Sequence, residues 1–221
     1  MKHLHTLAAL ACLSATAWAA NPIIEIKTSK GTIKAELFED KASKTVKNFL
    51  QYVKDKHYDG TIFHRVISDF MIQGGGFTKG FGGITNVEEY KAKEKKTGKP
   101  IENEADNGEK NVRGTLAMAR TGDPHSATAQ FFINVKDNAF LDHKEKTRAG
   151  WGYAVFGKVI EGMDVVDEIK KAKTKTIAEL RMGDVPVDEI TIESVKLVSD
   201  KPSAKDKDAK KDDKKDGKKD K

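Results

Sequence analysis

Apolar and polar residues alternate along much of the chain with the period of two that a half-buried strand requires. Residues 23–28 and 32–38 form two such runs, and Ser29-Lys30-Gly31 between them predicts a hairpin with glycine in the turn. Over residues 42–56 the period lengthens. Val46, Phe49, Leu50 and Val53 then share one helical face with lysines opposite, and His57-Tyr58-Asp59-Gly60 supplies the turn that ends the helix. Strand character returns at 61–66, 70–73, 115–119, 130–135 and 153–160. Residues 163–169 predict a second helix, and 189–198 alternate clearly as a last strand. The stretch 74–110 is glycine-rich and then strongly charged, and reads mostly as loop, with room for a short helix at 87–96. Many short strands with two separated helices predict a mainly β fold, a closed barrel capped by helices. There is no internal repeat.

The two ends of the 221-residue chain do not follow this pattern. Lys2 and two histidines precede an apolar stretch at 7–17, and Ala17-Trp18-Ala19 places small residues where a signal peptidase needs them. Residues 1–19 are therefore expected to be a signal peptide cleaved after Ala19, which places the mature protein outside the cytoplasm, in a periplasm. The apolar stretch is too short for a stable membrane span, and Asn21-Pro22 follows it at once. Cys12, a candidate for lipid attachment, lacks the leucine expected three residues before it. It is the only cysteine, and cleavage would leave a thiol-free chain suited to an oxidising compartment. Residues 201–221 hold ten lysines and six aspartates with no large apolar residue, a composition expected to stay disordered. That tail carries +4 of the formal +6, so the basic balance belongs mostly to it and argues against a nucleic-acid-binding core. Residues 20–200 are the size of one domain.

Familiar catalytic and ligand-binding motifs are scarce in the chain. His57, His64, His125 and His143 show no i, i+4 pairing and no cysteine partner, so no metal site is expected. Gly74-Gly75-Gly76 is followed by neither Gly-Lys-Ser/Thr nor the third glycine of a dinucleotide loop, and no Gly-x-Ser-x-Gly elbow exists.

The informative segments are Phe63-His64-Arg65-Val66-Ile67-Ser68-Asp69-Phe70-Met71-Ile72-Gln73-Gly74-Gly75, then Gly114-Thr115-Leu116-Ala117-Met118-Ala119-Arg120, then Ser126-Ala127-Thr128-Ala129-Gln130-Phe131-Phe132-Ile133. Together with Trp151-Gly152-Tyr153-Ala154-Val155-Phe156-Gly157-Lys158-Val159 and Gly162-Met163-Asp164-Val165-Val166, they resemble the signature of the cyclophilins, especially bacterial ones. The resemblance covers roughly residues 22–198. It implies an eight-stranded antiparallel barrel closed by two α-helices and a peptidyl-prolyl cis-trans isomerase activity without a cofactor. Arg65 resembles the catalytic arginine and Gln73 the neighbour that orients it. Phe70, Met71, Phe132 and Leu141 resemble the walls of the proline pocket, and Ala119, Arg120 and Gln130 the groove that holds the substrate backbone. Phe140 stands where many eukaryotic members carry a Trp that helps bind cyclosporin, and Tyr153 where they carry a His. Both lie in the substrate-binding surface the resemblance implies, and both departures are of the bacterial type. The stretch 84–100 is longer than in compact bacterial members.

The expected substrates are unfolded or partly folded exported proteins with X-Pro bonds, acted on by a monomer that binds no nucleic acid and does not insert stably in a membrane. Two other classes compete. One is a barrel that holds Pro-containing segments as a chaperone without turnover. The other is a protein whose Lys/Asp tail is the active part.

Overall fold

The computed structural model describes residues 21–199; the leader and the tail lie outside the described residues. Ten strands and three α-helices follow in chain order: β1 (Ile23–Thr28), β2 (Gly31–Leu37), α1 (Ser43–Lys54), β3 (Thr61–Ile67), β4 (Met71–Thr78), α2 (Val87–Lys93), β5 (Thr115–Met118), β6 (Phe131–Asn134), β7 (Val155–Glu161), α3 (Met163–Ile169), β8 (Thr174–Ile177), β9 (Met182–Pro186) and β10 (Thr191–Ser199). Eight of the strands close a barrel in the order β1-β10-β3-β4-β6-β5-β7-β2, with every pairing antiparallel. Closure leaves no free edge, so each strand must divide its side chains between inside and outside.

That division is visible in the burial. Ile24, Ile26, Ile33, Ala35 and Leu37 fill the interior from the first hairpin. Phe49 reaches in from α1 and stacks on Tyr58 at 4.8 Å between ring centroids, and it meets Phe131 edge-on at 5.6 Å. The Tyr58 hydroxyl donates to the Ala129 carbonyl at 2.9 Å, so the ring brings no unsatisfied polar atom into the core. Helix α1 buries Val46, Phe49 and Val53 as its periodicity predicts.

Two expectations need correction. The glycine run 74–76 belongs to β4 and is not a loop. Gly75 takes a left-handed φ of +84° where a Cβ would stand 2.9 Å from Tyr58, and a Cβ on Gly76 would stand 2.6 Å from Gln130. Bare backbone lets β4 pass between the core aromatics and the Gln130 side chain. The second correction is the hairpin β8–β9, which pairs outside the barrel and had no counterpart in the pattern. Ile177 and Val185 from this hairpin pack with Ile62, Phe77, Phe81 and Ile84 in a second apolar cluster against the outside of β3 and β4.

The 84–100 stretch also joins that cluster. Helix α2, expected within 87–96, is capped by Asn86, whose side chain accepts from the Glu89 N–H at 2.9 Å. Glu89 in turn accepts from the Thr85 N–H at 2.7 Å, and these bonds hold its carboxyl below the usual range. Tyr90 lies on Phe77 at 5.0 Å. The insertion is therefore a third helix packed beside the barrel, an addition to the two helices that cap it.

Candidate active site

The site begins with a bulge. Phe63 pairs with Gly74 and Arg65 with Gln73, so two residues of β3 oppose one step of β4 and His64 is the extra residue. Phe63 and Val66 both belong to the barrel core. Arg65 is thereby turned to the outer face, on the same side as its cross-strand partner Gln73. The row continues across the sheet: Gln73 faces Phe132 on β6, Phe132 faces Ala117 on β5, and Ala117 faces Val155 on β7. A register slip of one residue would send the whole row into the core.

Over the apolar half of this row lies a pocket of about 140 Å³ lined by Arg65, Phe70, Met71, Gln73, Ala119, Arg120, Phe132, Leu141 and Tyr153. A cavity of about 150 Å³ admits a benzene-sized ring, so this one has room for a single small ring. Met71, Phe132 and Leu141 are buried in its wall, with Phe70, Ala119 and Tyr153 packed around them. Tyr153 meets Phe132 edge-on at 5.8 Å. Phe70 lies in a turn between β3 and β4, and its carbonyl accepts from the Val135 N–H at 3.1 Å and from Asn138 Nδ2 at 2.9 Å.

The two arginines of the pocket differ in their freedom. Arg120 donates from Nε to the Gly152 carbonyl at 3.0 Å and from Nη1 to the Thr121 carbonyl at 2.9 Å, with its Cζ 4.4 Å above the Tyr153 ring. Its fork is occupied by the protein. Arg65 has one described partner, Asp184, at 3.5 Å from Nε, and the rest of its guanidinium is open.

Nine of the expected site residues therefore share one pocket. Gln130 borders the adjoining groove of about 220 Å³, which also takes in Gln73, Arg120 and Glu94. Phe140 lies outside the pocket lining, 64% exposed, and stacks on Phe70 at 5.5 Å. Gln73 donates from its amide N–H to Gln130 Oε1 at 2.9 Å, and the described group against Arg65 is the Asp184 carboxylate. Asp184 lies on β9, in a segment whose strand character the sequence pattern did not reveal. Among the described residues no cluster of three or more His, Cys, Asp or Glu is placed to hold a metal ion. No helix of the described residues is long and apolar enough to cross a membrane.

A closed antiparallel barrel with a ring-sized pocket on its outer wall and a guanidinium at the rim defines a recognisable class. The family model of cyclophilin type peptidyl-prolyl cis-trans isomerases matches residues 23–197. The chain is 59% identical over 175 residues to such an isomerase from Streptomyces antibioticus, covering 79% of this chain and 98% of that one. It is 53% identical over 176 residues to peptidyl-prolyl cis-trans isomerase B of Escherichia coli, covering 78% and 98%. Among solved structures, a cyclophilin type isomerase of Cryptosporidium parvum superposes with a TM-score of 0.64 at 29% identity, over 81% of this chain and 98% of that one. The chain belongs to the cyclophilin type peptidyl-prolyl cis-trans isomerase family. Its activity is the cis-trans isomerisation of peptide bonds that precede proline.

Proposed function

We propose that this isomerase acts on exported proteins and that Arg65 supplies the bond that stabilises the transition state. The single observation that carries the second statement is an arginine with open N–H groups at the edge of a ring-sized apolar pocket.

Amide resonance sets a rotation barrier of about 18–20 kcal/mol. The two isomers of an X-Pro bond lie close in energy, yet exchange over tens of seconds or longer. Faster rotation needs no nucleophile. It needs a group that favours the half-rotated state, in which the proline nitrogen turns pyramidal and regains a lone pair. The Arg65 guanidinium can donate to that lone pair, which the planar amide does not offer, so the contact favours the transition state over the ground state. Phe70, Met71, Phe132 and Leu141 grip the ring by shape. Ala119, Arg120 and Gln130 line the groove for the flanking backbone, and Gln73 braces Gln130 through its 2.9 Å bond. With the ring and the backbone both held, rotation is confined to one bond.

Action on exported clients is supported by the N-terminal reading: Lys2, the apolar stretch 7–17 and the Ala17-Trp18-Ala19 site. Expression of the full chain in a Gram-negative host, fractionation and intact-mass measurement test it. The expected product is a periplasmic protein beginning at Ala20 that isomerises an X-Pro peptide. A cytoplasmic, full-length product would overturn the exported role and leave the activity standing.

A further inference from the structure

We propose that Asp184 is a positioning residue for the isomerase: its carboxylate, presented by the β8–β9 hairpin, holds the Nε edge of Arg65 and leaves the two Nη groups to face the substrate. The proposal rests on Arg65 being the transition-state donor. A half-exposed arginine on a barrel wall has many rotamers, and ordering it at each turnover opposes catalysis through side-chain entropy. Something must hold it. Gln73, its cross-strand neighbour, gives its amide N–H to Gln130 and makes no described hydrogen bond to Arg65, and Arg120 is occupied by two carbonyls and the Tyr153 ring. The described acid at the guanidinium is Asp184, 3.5 Å from Nε.

The scaffold behind Asp184 fits this role. Val185, the next residue, is buried in the second apolar cluster with Ile62 of β3, so the hairpin is packed onto the strand that carries Arg65. Asp184 itself has a φ of +64°, in the left-handed region that few non-glycine residues adopt and that aspartate tolerates better than most. Backbone in this region persists only where its surroundings impose it, and such positions gather at functional sites. The pair does little for the fold. Both side chains are more than 40% exposed, and ion pairs at that exposure contribute little to stability. What the carboxylate does contribute is a negative charge placed beside one edge of a planar fork.

The test uses Asp184→Asn and Asp184→Gly in the mature chain; the glycine variant accepts the left-handed backbone without strain. Each should lower kcat/KM for an X-Pro peptide by about fivefold, the upper range for an exposed ion pair. Peptide Kd should not move in either variant, nor Tm in Asp184→Asn. In an Arg65→Lys background, which has no Nε, Asp184→Asn should cost nothing further. The Arg65 Nε–Hε resonance should shift in Asp184→Asn. Unchanged kcat/KM in both single variants would overturn the proposal, as would an equal loss in the Arg65→Lys background. The wild type and Arg65→Ala are measured alongside. Full activity of Arg65→Ala would instead overturn the assignment of the donor, whatever Asp184 does.

Discussion

Arg65→Ala is expected to lower kcat/KM by roughly 10²–10³, the range for one preorganised donor. Peptide affinity should fall much less, because the planar amide nitrogen has no lone pair to offer. Phe132→Ala should behave otherwise: it opens the wall of the ring pocket in both states, so Kd should weaken along with the rate. Isomerisation kinetics beside calorimetric Kd, with circular dichroism as the folding control, separate the two effects. Equal proportional losses of rate and affinity in Arg65→Ala would make Arg65 a binding residue. At this scale the sequence was informative about which residues gather and poor on what holds them. The motif spacing carried Arg65, Gln73, Phe132 and Leu141 to one place through the resemblance. Asp184 was invisible because its partner lies 119 positions away in sequence and nothing local marks the contact.

Among the elements, β4 shows how composition misleads. Three consecutive glycines read as loop, yet they form a strand because the neighbouring rings and Gln130 occupy the space where side chains would stand. Gly76→Ala tests this. The Cβ would meet the flexible Gln130 side chain, which can swing away, so Tm should change little. The Gln73–Gln130 bond would be lost, and kcat/KM should fall by about two- to tenfold, as for one neutral hydrogen bond. A large drop in Tm with unchanged rate per folded molecule would show that the close approach serves packing alone. The helices were legible since their period needs only their own residues; α3 spans Met163–Ile169 as its pattern predicts. Hairpin β8–β9 was not, because the exposed Thr174, Lys175 and Thr176 precede one buried residue, Ile177, and give no alternation to read.

For the whole molecule, the buried histidines set the response to acid. Burial pushes His64 down to about 3, and its Nδ1 has no partner among the described residues. Burial, aided by Lys95, also lowers His57. Below the ordinary histidine value near 6.5 the unfolded chain takes up protons that the folded one refuses, so stability falls as pH drops from about 6.5 toward 3. Each such group contributes at most about 1.4 kcal/mol per pH unit across that window. Thermal melts at pH 7, 6, 5 and 4 should show a steady loss in Tm, reduced in His64→Phe. Asp106 and Asp167, both lowered by bonds to cations, add their loss only below the ordinary carboxylate range, so the interval from pH 6 to 5 isolates the histidines. A flat Tm over that interval would show that the buried ring finds a way to charge.

The barrel as a whole was the most legible feature, since the eight alternating runs of the sequence are the eight strands that close it. Its closing seam has a further consequence. β1 and β10 are neighbours, with Ile23 opposite Ser199, while β6, which carries Phe132, lies on the wall directly across the ring. Both ends of the described chain thus leave from the back of the molecule. A fluorophore, a bead or a second protein moored at either end would leave the groove facing outward, open to a passing chain from any direction.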